Sequence, residues 1–222
     1  MFFAGICASG SGTRFGGTLP KQFVELNGKP VIAYSVEELL KWEELKRVFI
    51  AVSKEYTDYC RALFPNPRIT VIEGGALRSE TVALLAEAAM KEPDANNEDV
   101  MLTHDAARPF VGLETMKRCA GAAEKYGVSG TAIKAVDTVL RCKDGLVTEA
   151  PPREEMWLAQ TPQCFKLGLF KEVWSTMTKQ EKQDATDVCG MFFRKGFKVR
   201  IVEGEKEGGK ITIREDLEKL KL

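Results

Sequence analysis

The chain has 222 residues, of which 44% are apolar, and its 32 acidic side chains balance 32 basic ones. That length suits one large domain or a domain with a small appendage, and the zero net charge gives no electrostatic support for non-specific nucleic-acid binding. Six cysteines (Cys7, Cys60, Cys119, Cys142, Cys164 and Cys189) form no C-x-x-C pair, which argues against a zinc knuckle or a dithiol redox centre.

Met1 runs straight into strand-like residues, so no secretory leader is expected. No apolar run reaches the length of a bilayer span, and reduced thiols in the cytoplasm are the expectation. The run Phe2 to Ala8 ends at Gly10 and Gly12, as a buried strand entering a glycine loop does. Ile32 to Trp42 has helical spacing, and Val48 to Ser53 reads as a second strand. Ile69 to Ile72 is a third strand, followed by Gly74-Gly75. Arg78 to Lys91 reads as a helix, and Val100 to Thr103 as a strand ending in His104-Asp105. Glu114 to Tyr126 is again helical and Gly130 to Ala135 strand-like. This alternation predicts an α/β fold with a mainly parallel sheet and helices on both faces.

Val136 to Arg141 and Leu146 to Glu149 alternate like two strands around Lys143-Asp144-Gly145, and Asp-Gly is a strong turn signal. Pro151-Pro152 ends the second of them. A hairpin here either projects as an arm or folds onto its own domain. Gln160-Thr161-Pro162-Gln163 reads as a polar turn.

Ligands of parallel sheets bind beyond the carboxyl ends of the strands. Ser9 to Arg14, Gly74-Gly75 and His104 to Pro109 all fall at such ends, which predicts one site. In Ala8-Ser9-Gly10-Ser11-Gly12-Thr13-Arg14 the glycines let several N–H groups face an anion. No Gly-Lys-Ser/Thr follows, so this is not a Walker A loop, and Phe15 stands where a dinucleotide fingerprint needs its third glycine. Arg14 and Lys21 instead supply cations suited to a triphosphate. Asp105 at a strand end can hold Mg²⁺, directly or through water. Arg108 either binds phosphate or orients Asp105. His104 is the single histidine; a structural role is favoured over a general base, because nothing nearby completes a Ser–His–Asp arrangement. Lys210, in Glu207-Gly208-Gly209-Lys210-Ile211-Thr212, adds a further cation, with Glu207 a candidate metal-side carboxylate.

Taken together, these strings resemble the cytidylyltransferases that activate methylerythritol phosphate or ribitol 5-phosphate, over nearly the whole chain. The resemblance rests on the glycine loop through Arg14, Pro20-Lys21-Gln22, Gly74-Gly75 with Arg78, His104 to Pro109, Asp137-Thr138, Arg153, Thr161-Pro162-Gln163, Thr186-Asp187 and Lys210-Ile211-Thr212. It implies a Rossmann-like nucleotidyltransferase domain over 1–222 and a β-arm over 136–157 through which a homodimer forms. It also implies that CTP is the co-substrate, a polyol phosphate the acceptor and Mg²⁺ the cofactor, with no nucleic-acid or membrane partner. Arg14, Lys21 and Lys210 would be catalytic. Ala8, Ser9, Gly10, Gly12, Gly75, Arg78, Thr81 and Asp105 would hold CTP, Asp105 also at the metal. Arg108, Asp137, Thr138, Arg153 and Thr186 would contact the acceptor.

Three residues or pairs depart from the family pattern: Ser9 stands for Gly or Ala, Ala76 for an acidic residue, and Gly208-Gly209 for an Asn-Ile-like pair. Apolar Val136, Cys189 and the stretch Thr178 to Asp184 resemble the ribitol branch, so D-ribitol 5-phosphate is the expected acceptor. 2-C-methyl-D-erythritol 4-phosphate is the alternative, and a different nucleotide donor or a catalytically silent module are the remaining readings.

Overall fold

A computed structural model describes residues 1–10, 12, 15–16 and 19–220 of the chain. In chain order it contains β1 (Phe2–Ala8), a short hairpin of β2 (Glu25–Leu26) and β3 (Lys29–Pro30), α1 (Val31–Leu40), β4 (Leu45–Val52), α2 (Thr57–Leu63), β5 (Ile69–Glu73), α3 (Arg78–Met90), β6 (Val100–Asp105), α4 (Leu113–Tyr126) and β7 (Val128–Lys134). Then follow β8 (Arg141–Lys143), β9 (Leu146–Glu149), β10 (Trp157–Lys166), α5 (Leu167–Thr176), α6 (Lys179–Asp184), α7 (Val188–Arg194), β11 (Arg200–Glu203) and α8 (Arg214–Glu218). Among the described residues no helix is long and apolar enough to cross a membrane.

Seven strands form the central sheet in the order β11-β7-β10-β6-β1-β4-β5. Neighbours pair in parallel except β10, which runs antiparallel to both β6 and β7. Successive side chains of a strand point to opposite faces, and the core divides accordingly. Ile6, Ile50 and Leu102 pack with Ile32 and Val36 of α1 and Met116 of α4. Phe3, Phe49 and Met101 pack on the other face with Leu85 of α3, Phe170 of α5 and Phe192 of α7. Gly5 lets α3 close onto β1: a Cβ there would lie 2.5 Å from Met101 Cε and 2.9 Å from Leu85 Cδ1. The expected α/β layering is present, with β6 running on through His104 and Asp105.

Two expectations need correction. The first strand of the 136–157 hairpin is Arg141–Lys143, not Val136 to Arg141. Asp144 and Gly145 take positive φ of 52° and 78°, which sets Lys143 opposite Leu146 across a two-residue turn. The far end of the ladder pairs Arg141 with Glu149. Ala150-Pro151-Pro152 cannot extend the ladder, so residues 136–140 have no strand to pair with. Leu146 and Val147 stay exposed, and β8–β9 is a sheet separate from the central one. At the base of the hairpin, Trp157 already belongs to β10, opposite Lys134.

The second correction concerns Gln160 to Gln163, which is buried strand rather than turn. Proline lacks the N–H that a central ladder needs. The pairing of β10 with β7 is irregular between Ala159 and Gln163, and the cis Thr161–Pro162 peptide falls inside that gap. The freed Pro162 carbonyl accepts instead from the Thr131 hydroxyl at 3.1 Å.

Candidate active site

A cleft of about 640 Å³ opens where β1, β4, β5 and β6 end, and its walls include Ala8, Ser9, Gly10, Gly12, Lys21, Gly75, Arg78, Thr81, Asp105 and Lys210. The motifs expected to meet do meet, because parallel strands deliver their carboxyl ends to one edge. Arg14, with Ser11 and Thr13, lies outside the described residues.

The glycine loop is tied down by a residue that sequence reasoning treated only as part of a motif. Gln22 is buried, and its Nε2 donates to the carbonyls of Ala8 at 2.6 Å and Gly10 at 3.2 Å. These bonds fix the loop to the turn that carries Lys21. Lys21 Nζ donates to the Ile211 carbonyl at 2.6 Å, and its stem passes close to Gly12, whose φ is +65°. The two segments therefore converge on the same part of the cleft.

Opposite the glycine loop stands the start of α3. The Ser9 and Thr81 hydroxyls lie 3.0 Å apart, and Thr81 Oγ1 accepts the Gly75 N–H at 3.1 Å. The family departure at Ser9 thus adds a hydroxyl that connects the β1 loop to α3. Gly74 is required where these loops touch, since a Cβ would come 2.6 Å from Ser9 Cβ. Glu73, Ser53, Lys54, Glu55 and Cys7 also line the cleft. Their one signal in the sequence is position at the strand ends. Ala76 lines it too, leaving a methyl group where the family pattern has a carboxylate.

Asp105 is the electrostatic centre. Arg78 Nε donates to Oδ1 at 3.1 Å, Lys210 Nζ donates to Oδ2 at 2.7 Å, and Arg108 Nε stands 3.9 Å from Oδ2. Burial by itself would raise the Asp105 carboxyl, but Arg78 and Lys210 together outweigh it and hold it well below the usual carboxylate range. Arg108 does not line the cleft. Its Nη1 donates to the Gly208 carbonyl at 2.8 Å, and burial lowers its pKa despite Asp105. Of the two roles left open for Arg108, this geometry corresponds to orienting the Asp105–Lys210 corner.

Among the described residues no group of three or more His, Cys, Asp or Glu side chains could form an all-protein metal cage. Mg²⁺ does not need one, because it commonly binds one or two carboxylates together with substrate phosphates. Asp105 lines the cleft and can supply such a carboxylate where substrate phosphates draw Arg78 and Lys210 from its two oxygens. Glu207 is exposed and does not line the cleft.

His104 is fully buried. Nε2 lies 3.0 Å from the Arg108 carbonyl, and Nδ1 lies 3.0 Å from Thr161 Oγ1, which itself accepts the Asp105 N–H at 3.1 Å. One proton arrangement satisfies every group: Nε2–H donates to Arg108, and the Thr161 hydroxyl donates to Nδ1. The ring is therefore structural, as favoured from the sequence. Burial lowers its pKa to about 4, against a hydrogen bond that favours the charged form.

The unfolded chain binds a proton at this histidine near pH 6.5, whereas the folded chain binds one only near 4. The associated stability is present above about pH 6.5 and is lost as pH falls toward 4. We expect urea unfolding in chelator to show about 3 kcal/mol less stability from this group at pH 4 than at pH 7. A His104→Gln variant should lack that component. An identical pH profile for the two proteins would refute the assignment.

The acceptor residues expected on and beside the arm do not join the cleft. Asp137, Thr138, Arg153 and Thr186 are exposed and none lines it. Arg153 Nη1 donates to the Val136 carbonyl at 3.3 Å across the base of the hairpin. Thr186 precedes Asp187, whose carboxylate caps α7 by accepting the Gly190 N–H at 2.6 Å.

Comparison with known proteins gives a consistent picture. The profile of the 2-C-methyl-D-erythritol 4-phosphate cytidylyltransferase family matches residues 3–221. The chain superposes on the 4-diphosphocytidyl-2C-methyl-D-erythritol synthase of Anaerococcus prevotii with TM-score 0.82 and 25% identity, covering 99% of this chain and 95% of that one. For the 2-C-methyl-D-erythritol 4-phosphate cytidylyltransferase of Francisella tularensis the values are 0.80 and 26%, over 98% and 97% of the two chains. For that of Thermus thermophilus they are 0.75 and 26%, over 99% and 97%.

Proposed function

Since the chain belongs to the 2-C-methyl-D-erythritol 4-phosphate cytidylyltransferase family and is thus a CTP-dependent nucleotidyltransferase, we propose that its acceptor is 2-C-methyl-D-erythritol 4-phosphate. The observation that carries this reading is the family match over residues 3–221, joined by solved enzymes of that activity at 25–26% identity. D-ribitol 5-phosphate, the acceptor expected from local sequence features, has less support. Val136 is 72% exposed and outside the cleft. Cys189 Sγ packs against Gly130 of β7. In Thr178 to Asp184, Thr178 is the N-cap of α6 and makes a capping box with Glu181. Cys189 and the α6 cap therefore have structural roles, and Val136 is exposed surface, so none of the three needs a ribitol acceptor to explain it.

In the proposed reaction the acceptor's phosphate oxygen attacks the α-phosphorus of CTP. The new P–O bond forms as the bond to pyrophosphate breaks. The nucleophile is already anionic near neutral pH, so no strong base is required, which suits a fold whose one histidine is buried in hydrogen bonds. The cost lies in joining two polyanions and in the charge of the five-coordinate centre. Lys21 and Lys210 face the cleft and neutralise that charge, and Arg14 is assigned the same role by its place in the motif. Ala8, Ser9, Gly10, Gly12, Gly75, Arg78 and Thr81 frame the nucleotide. Asp105 would hold Mg²⁺, which supplies Lewis-acid stabilisation to phosphate oxygens when bound.

Asp137, Thr138 and Arg153 are assigned to the acceptor through a homodimer in which the 136–157 arm reaches a second copy's cleft, with Thr186 supporting that side, while Arg108 orients the Asp105–Lys210 corner from behind the cleft. Exposed Val136, Leu140, Leu146 and Val147 are the apolar surface such a contact would cover. The six free thiols suit a reducing compartment, the cytoplasm.

The deciding experiment compares kcat/KM for the two polyol phosphates with CTP. A clear preference for 2-C-methyl-D-erythritol 4-phosphate is expected, and preference for ribitol 5-phosphate would overturn the acceptor while keeping the nucleotide chemistry. Deleting Arg141 to Thr148 should weaken both association and activity. A fully active monomer by light scattering would sink the arm assignment.

A further inference from the structure

Lys210 sits in an irregular strap, residues 204–213, between β11 and α8. An unrestrained lysine there would sample many positions, yet its Nζ is held 2.7 Å from Asp105 Oδ2. The restraint comes from anchors along the strap. Gly204 N–H donates to Ala132 at 2.8 Å, the Glu205 carbonyl accepts from Gln160 Nε2 at 2.8 Å, and the Gly208 carbonyl accepts from Arg108. Ile211 N–H donates to Ala107 at 2.9 Å.

One anchor is a charged side chain that no step of the chemistry uses. The Glu205 carboxylate accepts the Gly112 N–H at 3.2 Å and the Thr115 hydroxyl. Gly112 is the N-cap of α4, a helix of 14 residues, and has no side chain of its own to cap with. The carboxylate therefore satisfies one N–H of the helix N-terminus, that of Gly112, and meets the positive end of the helix dipole. Arg118 Nη2 donates to Thr115 Oγ1 at 3.0 Å and to the Glu203 carbonyl at 3.0 Å, closing the corner.

We propose that Glu205, by clamping the strap to the start of α4, is a positioning residue for Lys210. The proposal rests on the assignment of Lys210 to phosphate charge. The clamp lies five residues before Lys210, and the Arg108 and Ala107 anchors lie on either side of that lysine. Without Glu205 the strap keeps its ends but loses its hold on α4, and the lysine is misplaced.

The test uses full-length Glu205→Ala, Lys210→Ala and the double variant, with kcat at saturating substrates, thermal unfolding, and hydrogen exchange at the Gly208 and Ile211 amides. Glu205→Ala should lower kcat about 10–100-fold, the scale of a displacement near 1 Å, and speed exchange at those two amides while exchange in β1 and β6 is unchanged. Added to Lys210→Ala, it should cost nothing more, because the group that it positions is gone. Losses that multiply in the double variant, or unchanged exchange and kcat in a folded Glu205→Ala, would overturn the proposal. If Glu205→Ala does not fold, Thr115→Val removes one donor of the same clamp and should give a smaller loss of the same kind; wild-type exchange and kcat in that variant would count against the clamp. If Lys210→Ala keeps full activity while Glu205→Ala frees the amides, the role of Lys210 falls and the mooring stands.

Discussion

Lys21→Ala is expected to lower kcat by about 10²–10³-fold at saturating CTP and acceptor, the scale for one positioned group that stabilises transition-state charge. The lysine's stem passes close to Gly12, and its amine reaches the Ile211 carbonyl at 2.6 Å. It therefore links the glycine loop to the strap that carries Lys210. Two effects follow from its loss: a cation leaves the cleft, and the strap loses a donor. The first should dominate, because Ile211 keeps its own N–H bond to Ala107 and remains buried. Thermal unfolding should consequently shift little. Lys21→Arg keeps charge but not the compact ammonium, and should recover only part of the rate. Steady-state kinetics check the result; near-normal kcat for the alanine variant at saturating CTP would remove Lys21 from the mechanism.

Asp105→Asn should abolish most activity and also cost about 3 kcal/mol of stability at pH 7, because removing one partner of a buried ion pair leaves the others uncompensated. Here the stranded partners are Arg78, Lys210 and the more distant Arg108, around a side chain only 10% exposed. The Asp105 carboxyl is held well below its ordinary value in the folded state. Its stabilisation is thus present above the unfolded value, about 4, and is lost as pH falls through the folded one. The gap between wild type and variant should therefore narrow progressively below about pH 4. Urea titrations in chelator at neutral and acid pH measure it. Equal stability at pH 7, or a gap that persists undiminished in acid, would show that Asp105 is not the carboxylate that neutralises this corner.

What the amino-acid sequence by itself determined is the part of the protein that local patterns encode. Short apolar runs such as Phe2 to Ala8, alternating with helical stretches, were sufficient for a parallel sheet, because each element must bury its own apolar face. Asp144-Gly145 was sufficient for the turn, because its backbone conformation depends on those two residues. Gathering the glycine loop, Gly74-Gly75 and Asp105 at one edge followed from strand direction.

The tertiary structure decided everything that depends on residues far apart in the chain. Asp105 draws one cation from 27 residues before it and another from 105 residues after it. No spacing rule predicts that three cations would meet one carboxylate, or that Arg108 would turn behind the cleft to the strap. Gln160 to Gln163 has the composition of a turn, and only burial between β6 and β7, with a ladder gap to take the proline, makes it strand. The hairpin's first strand is shorter than its alternation suggested, because β9 stops before the prolines and a strand needs a partner. Glu205 looks in sequence like any solvated polar residue, and Gln22 is legible there only as a member of its motif. Their roles exist because folding brings backbone donors and acceptors to them, and a buried polar group is stable only where such partners wait.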